Sequence, residues 1–404
     1  MNRIVHIGTG AFHRAHQAWY VARAGGWRID GVSLRSAGVR DAMAADDYVY
    51  ALEIADASGR RIETLDVIDG ITVATEAPAT VAALIARPET ALVTLTVTEK
   101  GYHLRPDGTL DLAAMADDVA ALRAGTAPAT MPGHLLAGLA KREAPLTVMS
   151  CDNLPANGRK LRAALLALAG EAGIDPDRVT RHRFPSTMVD RITPAVDDDL
   201  RKRVTAAGAP AHAPVATEAF TEWVIEDDFA GPMPDLAAAS AQIVQDVAPF
   251  ELRKLRMLNG AHSTLAYAGL NKGLTYVHEA VADSDLRGLA RAVMDEAAET
   301  LPDAVRGDAP AYADALLRRF ENPHLAHSLA QIAMDGSLKL PIRILGTMDE
   351  RADSPACARA LREWESWLDQ EFAAGRVPDD PAAKSLRAGR ASGLAARALL
   401  EGRT

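Results

Sequence analysis

The eight residues Ala91-Leu92-Val93-Thr94-Leu95-Thr96-Val97-Thr98 are apolar or threonine without a break. Such a run is too short to cross a bilayer and lacks the alternation of a strand with one wet face. It suits a strand of a parallel sheet covered on both sides, where every side chain must tolerate burial. Pro145-Leu146-Thr147-Val148-Met149-Ser150 has the same character, and Ile4–Ile7 and Ile29–Leu34 are shorter versions. Alanine-rich stretches at helical spacing lie between them, which predicts an α/β fold with a doubly wound, Rossmann-like parallel sheet. From Pro249 onward strand-like runs nearly vanish, and Phe250–Leu270, Arg287–Thr300 and Cys357–Ala373 read as helices. A chain of 404 residues is too long for one compact core. The expected division is a Rossmann-like α/β domain over 1–246 and a mainly α-helical domain over 247–404. Thr126–Gly133 reads as a surface loop, and Phe184–Pro194, lying between two prolines, as an extended one.

A net charge of −10 argues against a nucleic-acid or anionic-membrane partner. No stretch reaches the ~20 apolar residues of a membrane span. Two cysteines far apart, Cys151 and Cys357, form neither a disulfide framework nor a zinc pattern and suit a reducing cytoplasm. The first residues run straight into a glycine turn, with no signal-peptide pattern.

That turn is Gly8-Thr9-Gly10-Ala11-Phe12, between a strand and a helix that reads through Ala24. Gly8 and Gly10 match the first two positions of the dinucleotide fingerprint, where the glycines permit the tight turn and the approach of a pyrophosphate. His13 stands where the third glycine belongs, and two glycines also suit any short strand-to-helix turn. An acidic residue is expected at the end of the second strand for a ribose 2′-hydroxyl, but Arg35 and Ser36 are found there. Arg35 is either a surface arginine or a receptor for a 2′-phosphate, so NADP stands beside NAD.

The segment from Glu251 to His262 mixes polar groups with leucines on one helical face. With Lys254 at zero and ~100° per residue, Glu251 falls near 60°, His262 near 80° and Asn259 near 140°. Leu258 (near 40°) and Leu255 (near 100°) share the arc. Buried polar groups need partners or a task. Burial favours the uncharged amine of a lysine, which suits one so placed to exchange protons near neutrality. The alternative is a structural polar network between the two domains. Asn153 follows a strand end, where ligands of α/β sheets collect, whereas Asn157 reads as a turn residue and Asp190–Arg191 as a salt-bridged pair.

Together these pieces resemble the polyol-specific long-chain dehydrogenases, the mannitol dehydrogenase family. The matching motifs run in order along nearly the whole chain: Gly8 to Gln17, Thr96 to Tyr102, Ser150 to Asn153, Met188 to Pro194, Glu222 to Glu226, Lys254 to Ser263 and Gln331 to Ser337. Lysine, asparagine and histidine at 254, 259 and 262 form the family's signature. The resemblance implies that Lys254 is the general acid–base and that Asn153 and Asn259 hold the reacting oxygen. His262 orients the substrate, and Glu251 passes the proton between Lys254 and solvent. It implies cofactor contacts at Gly8, Gly10, Ala11, Phe12, Arg35, Thr98, Glu99, Lys100, Asn153 and Val189, with Asp190 beside the substrate. It implies no metal, a cytoplasmic monomer or weak oligomer, and a small sugar acid or polyol as the molecule bound.

Gln331 to Ser337, followed by Lys339 and Arg343, is nearest to the fructuronate reductase (D-mannonate oxidoreductase) version of the family. Gln331, Lys339 and Arg343 are the expected substrate contacts, with the two cations facing a uronate carboxylate; Arg343 reads equally as surface charge. The leading expectation is NAD(H)-dependent interconversion of a secondary alcohol and a ketone, as in D-mannonate and D-fructuronate. The alternatives are a mannitol, arabinitol or sorbitol dehydrogenase, and an inactive nucleotide-binding regulator on the same fold.

Overall fold

The computed structural model describes residues 2–402, which divide into two compact units. One comprises residues 2–55 and 60–247, the other 56–59 and 248–402. The strands are β1 (Arg3–Ile7), β2 (Arg28–Ser33), β3 (Tyr50–Asp56), β4 (Gly59–Leu65), β5 (Ile68–Val73), β6 (Thr90–Leu95), β7 (Thr147–Ser150), β8 (Thr187–Asp190), β9 (Val215–Glu218), β10 (Glu222–Glu226) and β11 (Gln242–Val244).

The main sheet has the order β5-β2-β1-β6-β7 and is parallel throughout. The chain builds outward from β1 to β5, then returns to place β6 on the other side of β1. Crevices for ligands open at such a reversal, outside the carboxyl ends of the strands. The unbroken apolar runs are explained by burial on both faces. Ile4, Ile29, Leu92 and Met149 belong to one hydrophobic cluster, whereas Val5, Val32, Val93 and Val148 belong to another.

Two small sheets were not anticipated, β11-β10-β8 and β4-β3-β9. The segment expected to be an extended loop, Phe184–Pro194, contains β8, whose four residues are buried and pair antiparallel with β10. The segment taken for a surface loop, Thr126–Gly133, holds the start of the helix Met131–Lys141. Thr130 caps it by accepting from the Gly133 N–H, and Met131, Pro132 and Gly133 are buried in its first turn. The helix expected through Ala24 breaks at His16 into Ala11–Ala15 and Gln17–Ala24.

In the second unit no strand follows Val244 among the described residues. The helix Asn259–Asn271 lies at its centre, against helices Ser284–Glu299, Leu329–Ala333 and Pro355–Ala373. Every residue from Gly260 to Gly269 is buried. A helix buried on all sides has no solvated face on which a polar side chain can idle.

Candidate active site

In the first unit the turn after β1 is fixed from several sides. The Gly8 N–H donates to the Val32 carbonyl at 2.8 Å, and the Gly10 N–H to the Gly8 carbonyl at 2.7 Å. Gly8 has φ +102°, and a Cβ there would lie 2.0 Å from the Thr96 carbonyl oxygen at the end of β6. Only glycine fits. At Gly10 the nearest protein atom to an added Cβ is 3.9 Å away, so this backbone faces open space. A pyrophosphate needs that approach beside the N-terminus of the helix Ala11–Ala15, so the residues present fit a dinucleotide.

His13, in the third glycine's place, is fully buried and stacks on His6 of β1 with ring centroids 3.3 Å apart. Where the usual glycine allows close helix–strand packing, two flat rings do so here. Nε2 of His6 bonds the Gly8 carbonyl (3.2 Å) and the Thr96 hydroxyl (2.9 Å), and Nδ1 bonds Thr94 Oγ1 (2.7 Å). His16 likewise serves the fold, with Nε2 donating to the Glu222 carbonyl at 3.0 Å.

Thr98, Glu99 and Lys100 are exposed just beyond β6, which flanks the reversal, and Asn153 just beyond the neighbouring edge strand β7. Arg35 is exposed past the end of β2. Val189 and Asp190 end β8 and are buried. Arg191, expected to pair with Asp190, instead donates to the carbonyls of Glu218 and Ala15 and covers the Trp19 ring. Burial among those neighbours lowers its pKa to about 10. Two residues that follow β7, one of them opening the helix Asn157–Ala172, carry more than their sequence suggested. Asp152 bonds the backbone beyond β6. Asn157, read as a turn residue, is buried and joins β7 to β8 by donating to the carbonyls of Asp152 and Thr187 while accepting from the Thr187 N–H.

In the second unit the helical stretch 248–271 contains a π segment, Lys254–Leu258, between α-helical Ala248–Arg253 and Asn259–Asn271. A π turn takes in one extra residue, which rotates everything after it back by about 100° relative to an α-helix. The wheel angles expected for Asn259 and His262 are corrected accordingly, to about 40° and about −20° from Lys254. The three signature residues therefore form one narrow stripe. Lys254 and His262 are buried, and Glu251 and Asn259 are half-buried.

His262 packs against Phe320 at 4.6 Å and edge-on to His327 at 5.1 Å between centroids. Its Nε2 and Nδ1 of His327 are buried with no hydrogen-bond partner among the described residues. Burial first, and then His327, Arg319 and Arg343, push the His262 pKa well down, so the ring is neutral. His327 carries no signal in a single sequence; only the fold brings it here. Arg343 lies in a second π segment, Pro341–Leu345, whose backbone meets the signature helix: a Cβ on Gly260 would lie 3.1 Å from the Arg343 carbonyl. Arg343 donates to Ser263 Oγ at 3.1 Å. Lys339 donates to the Met334 carbonyl at 2.5 Å and lies 3.9 Å from Asp335, so it is engaged within its own turn. Gln331 is exposed on the helix Leu329–Ala333, and its N–H donates to Ser328 Oγ. Arg256, inside the signature, is structural, bound to Glu350 and Thr300.

Residues 2–238 match the family described as the mannitol dehydrogenase Rossmann domain, and residues 246–390 match the mannitol dehydrogenase C-terminal domain. The chain belongs to the mannitol dehydrogenase family. As a member it is a nicotinamide-dependent oxidoreductase acting on CH–OH groups of polyols or sugar acids, which sets aside the inactive regulator. It is 37% identical to the mannitol 2-dehydrogenase of Phaeosphaeria nodorum, covering 95% of this chain and 72% of that one. Identity to the D-mannonate oxidoreductase of Escherichia coli is 39%, over 85% of this chain and 74% of that one. The fold matches Pseudomonas fluorescens mannitol 2-dehydrogenase, solved as a ternary complex with NAD and D-mannitol, with TM-score 0.78 and 32% identity. That match covers 96% of this chain and 83% of the other. No helix among the described residues is long and apolar enough to cross a membrane.

The buried imidazoles of this family member make a stability prediction. Burial lowers His6 to about 3 and His182 to about 4, and pushes His13 and His262 well down. Unfolding returns each to about 6.5, where it takes up a proton that the folded chain refuses. Stability is then full above about pH 6.5 and falls below it, by up to about 1.4 kcal/mol per pH unit for each such histidine. Asp152, raised by burial, opposes this with a single proton. Urea unfolding at pH 7.5, 6 and 5 should show the loss, and equal stability at all three would exclude neutral buried rings.

Proposed function

We propose that this enzyme uses NAD(H) to interconvert a secondary alcohol and a ketone on an acyclic sugar acid of the D-mannonate/D-fructuronate type. The observation that carries the sugar-acid reading is Arg343. Its guanidinium is partly buried, its bond is to the Ser263 hydroxyl, and no carboxylate pairs with it among the described residues. Burial lowers its pKa to about 10. A buried cation without a counter-charge is costly, and a substrate carboxylate held by two parallel N–H bonds would supply one. Lys339, already engaged, contributes positive charge, and Gln331 belongs to the rim.

When bound, the nicotinamide takes up or returns the hydride. Lys254 removes the hydroxyl proton in oxidation and gives one to the carbonyl oxygen in reduction. Asn259 and Asn153 donate to that oxygen as charge develops on it. His262, neutral, donates or accepts at a neighbouring hydroxyl, and Glu251 relays the proton of Lys254 to solvent. Asp190 contacts the substrate. Gly8, Gly10, Ala11, Phe12, Arg35, Thr98, Glu99, Lys100 and Val189 hold the cofactor. NAD is favoured by the likeness to the Pseudomonas fluorescens enzyme, with Arg35 the residue through which NADP would be admitted. Two buried free thiols suit the cytoplasm, and a monomer or weak oligomer is expected.

The neutral-polyol reading rests on the likeness to mannitol 2-dehydrogenases. Assays of Arg343→Gln decide between them. The KM for D-mannonate and D-fructuronate should rise about 30- to 100-fold, the loss of a charge-assisted pair, while any mannitol oxidation stays within twofold. Activity of the unaltered enzyme confined to neutral polyols would remove the sugar-acid assignment.

A further inference from the structure

The backbone just beyond β6 needs holding. Thr98 sits at φ +65°, ψ 163°, a region that costs a residue other than glycine about 1–3 kcal/mol and persists only when its surroundings enforce it. What enforces it is Asp152. Its carboxylate accepts from the Thr98 N–H at 2.7 Å, the Val97 N–H at 3.1 Å and the Tyr102 hydroxyl at 2.7 Å. Tyr102 is fully buried, with its hydroxyl also 2.5 Å from Ser150 Oγ.

Asp152 is itself 8% exposed and has no cationic partner among the described residues. A carboxylate buried against neutral donors is an expensive way to close a loop. It does more than close one. The Asp152 carbonyl accepts from Asn157, which also clamps both main-chain groups of Thr187. One residue thus references the segment beyond β6 to β7 and, through Asn157, to β8.

We propose that Asp152 is a positioning residue for the dinucleotide, its carboxylate holding the Thr98 turn in the shape that lets Thr98, Glu99 and Lys100 line the cofactor site. This rests on the reading above that those three residues face the cofactor. Without the carboxylate, the Val97 and Thr98 N–H groups turn to water and Thr98 relaxes to an ordinary extended conformation. Binding must then reorder the segment, and that cost appears as lost affinity.

Calorimetric titration with NAD and amide hydrogen exchange test this on the full chain without substrate. The unaltered protein is titrated first, and failure to bind NAD there would overturn the cofactor reading and this role with it. Given binding, Asp152→Asn should weaken NAD at least about tenfold and speed exchange at Val97 and Thr98. In turnover, KM for NAD should rise while kcat at saturating NAD stays within about threefold. Unchanged NAD affinity in Asp152→Asn, or weakened affinity with both amides still protected, overturns the role of Asp152 alone. Should that variant not fold, Tyr102→Phe decides. It removes one of the three bonds and should weaken NAD about threefold with faster exchange at the same amides; unchanged affinity and exchange would overturn the proposal.

Discussion

Lys254→Ala should lower kcat/KM by about 10²- to 10⁴-fold, the usual contribution of a positioned acid–base group. Lys254 is buried at the start of the π segment, in line with Asn259 and His262. NAD affinity should stay within about twofold, because the glycine turn that would hold the dinucleotide belongs to the other unit. Lys254→Arg separates proton transfer from simple charge. A guanidinium keeps the positive charge and does not release its proton at working pH, so this variant should be nearly as impaired as alanine. An arginine variant retaining a third or more of the activity would mean that Lys254 acts by charge alone. Full activity in the alanine variant would end its assignment as the acid–base. Both are read from initial rates across pH with either direction of reaction.

The second large effect lies at the turn. Gly8→Ala places a methyl 2.0 Å from the Thr96 carbonyl oxygen at φ +102°. Backbone, not a flexible side chain, would have to move, and it directly follows β6, which pairs along β1. Destabilisation of at least about 3 kcal/mol is expected, the range of severe packing and strain defects. Any variant that folds should show no measurable NAD binding. Chemical denaturation gives the first quantity and titration the second. A Gly8→Ala protein within about 1 kcal/mol of the parent would show that the turn is far more pliant than its contacts imply. Gly10→Ala is the informative companion, since its added methyl meets open space: it should leave stability nearly intact while weakening NAD.

The comparison of sequence with structure follows the range of the interactions. The unbroken strands and the glycine turn were legible because each is a local pattern with a physical cause. The polar face from Glu251 to His262 was legible as unusual, but its angles were wrong for Asn259 and His262. Hydrophobic periodicity assumes 3.6 residues per turn, and nothing local announces a change to the π geometry at Lys254–Leu258. The helix at Met131 was missed although Thr130 before Pro132 is a start signal, because threonine, proline and glycine in a cluster also spell a loop. The tasks of Asp152 and Asn157 were out of reach, since their partners are 54 and 30 residues away along the chain. Arg343 and Lys339 read alike in the sequence, but Arg343 bonds Ser263 on the signature helix whereas Lys339 bonds its own turn.

The π segment also bears on which changes of length this chain can accept. With no residue removed, relaxation of Lys254–Leu258 into uniform α-helix, the better-bonded backbone, would shift every later residue by one position around the wheel. The result would be a sounder helix and a dead catalyst, because Asn259 and His262 would swing by about 100° off the line of Lys254. Evolution can lengthen or trim the exposed connections of such a fold at little cost, but here only the loss of one residue would let a regular helix keep that line. The irregularity is thus a stored misalignment that aligns the chemistry, and it persists only while selection for turnover outweighs the gain in backbone regularity.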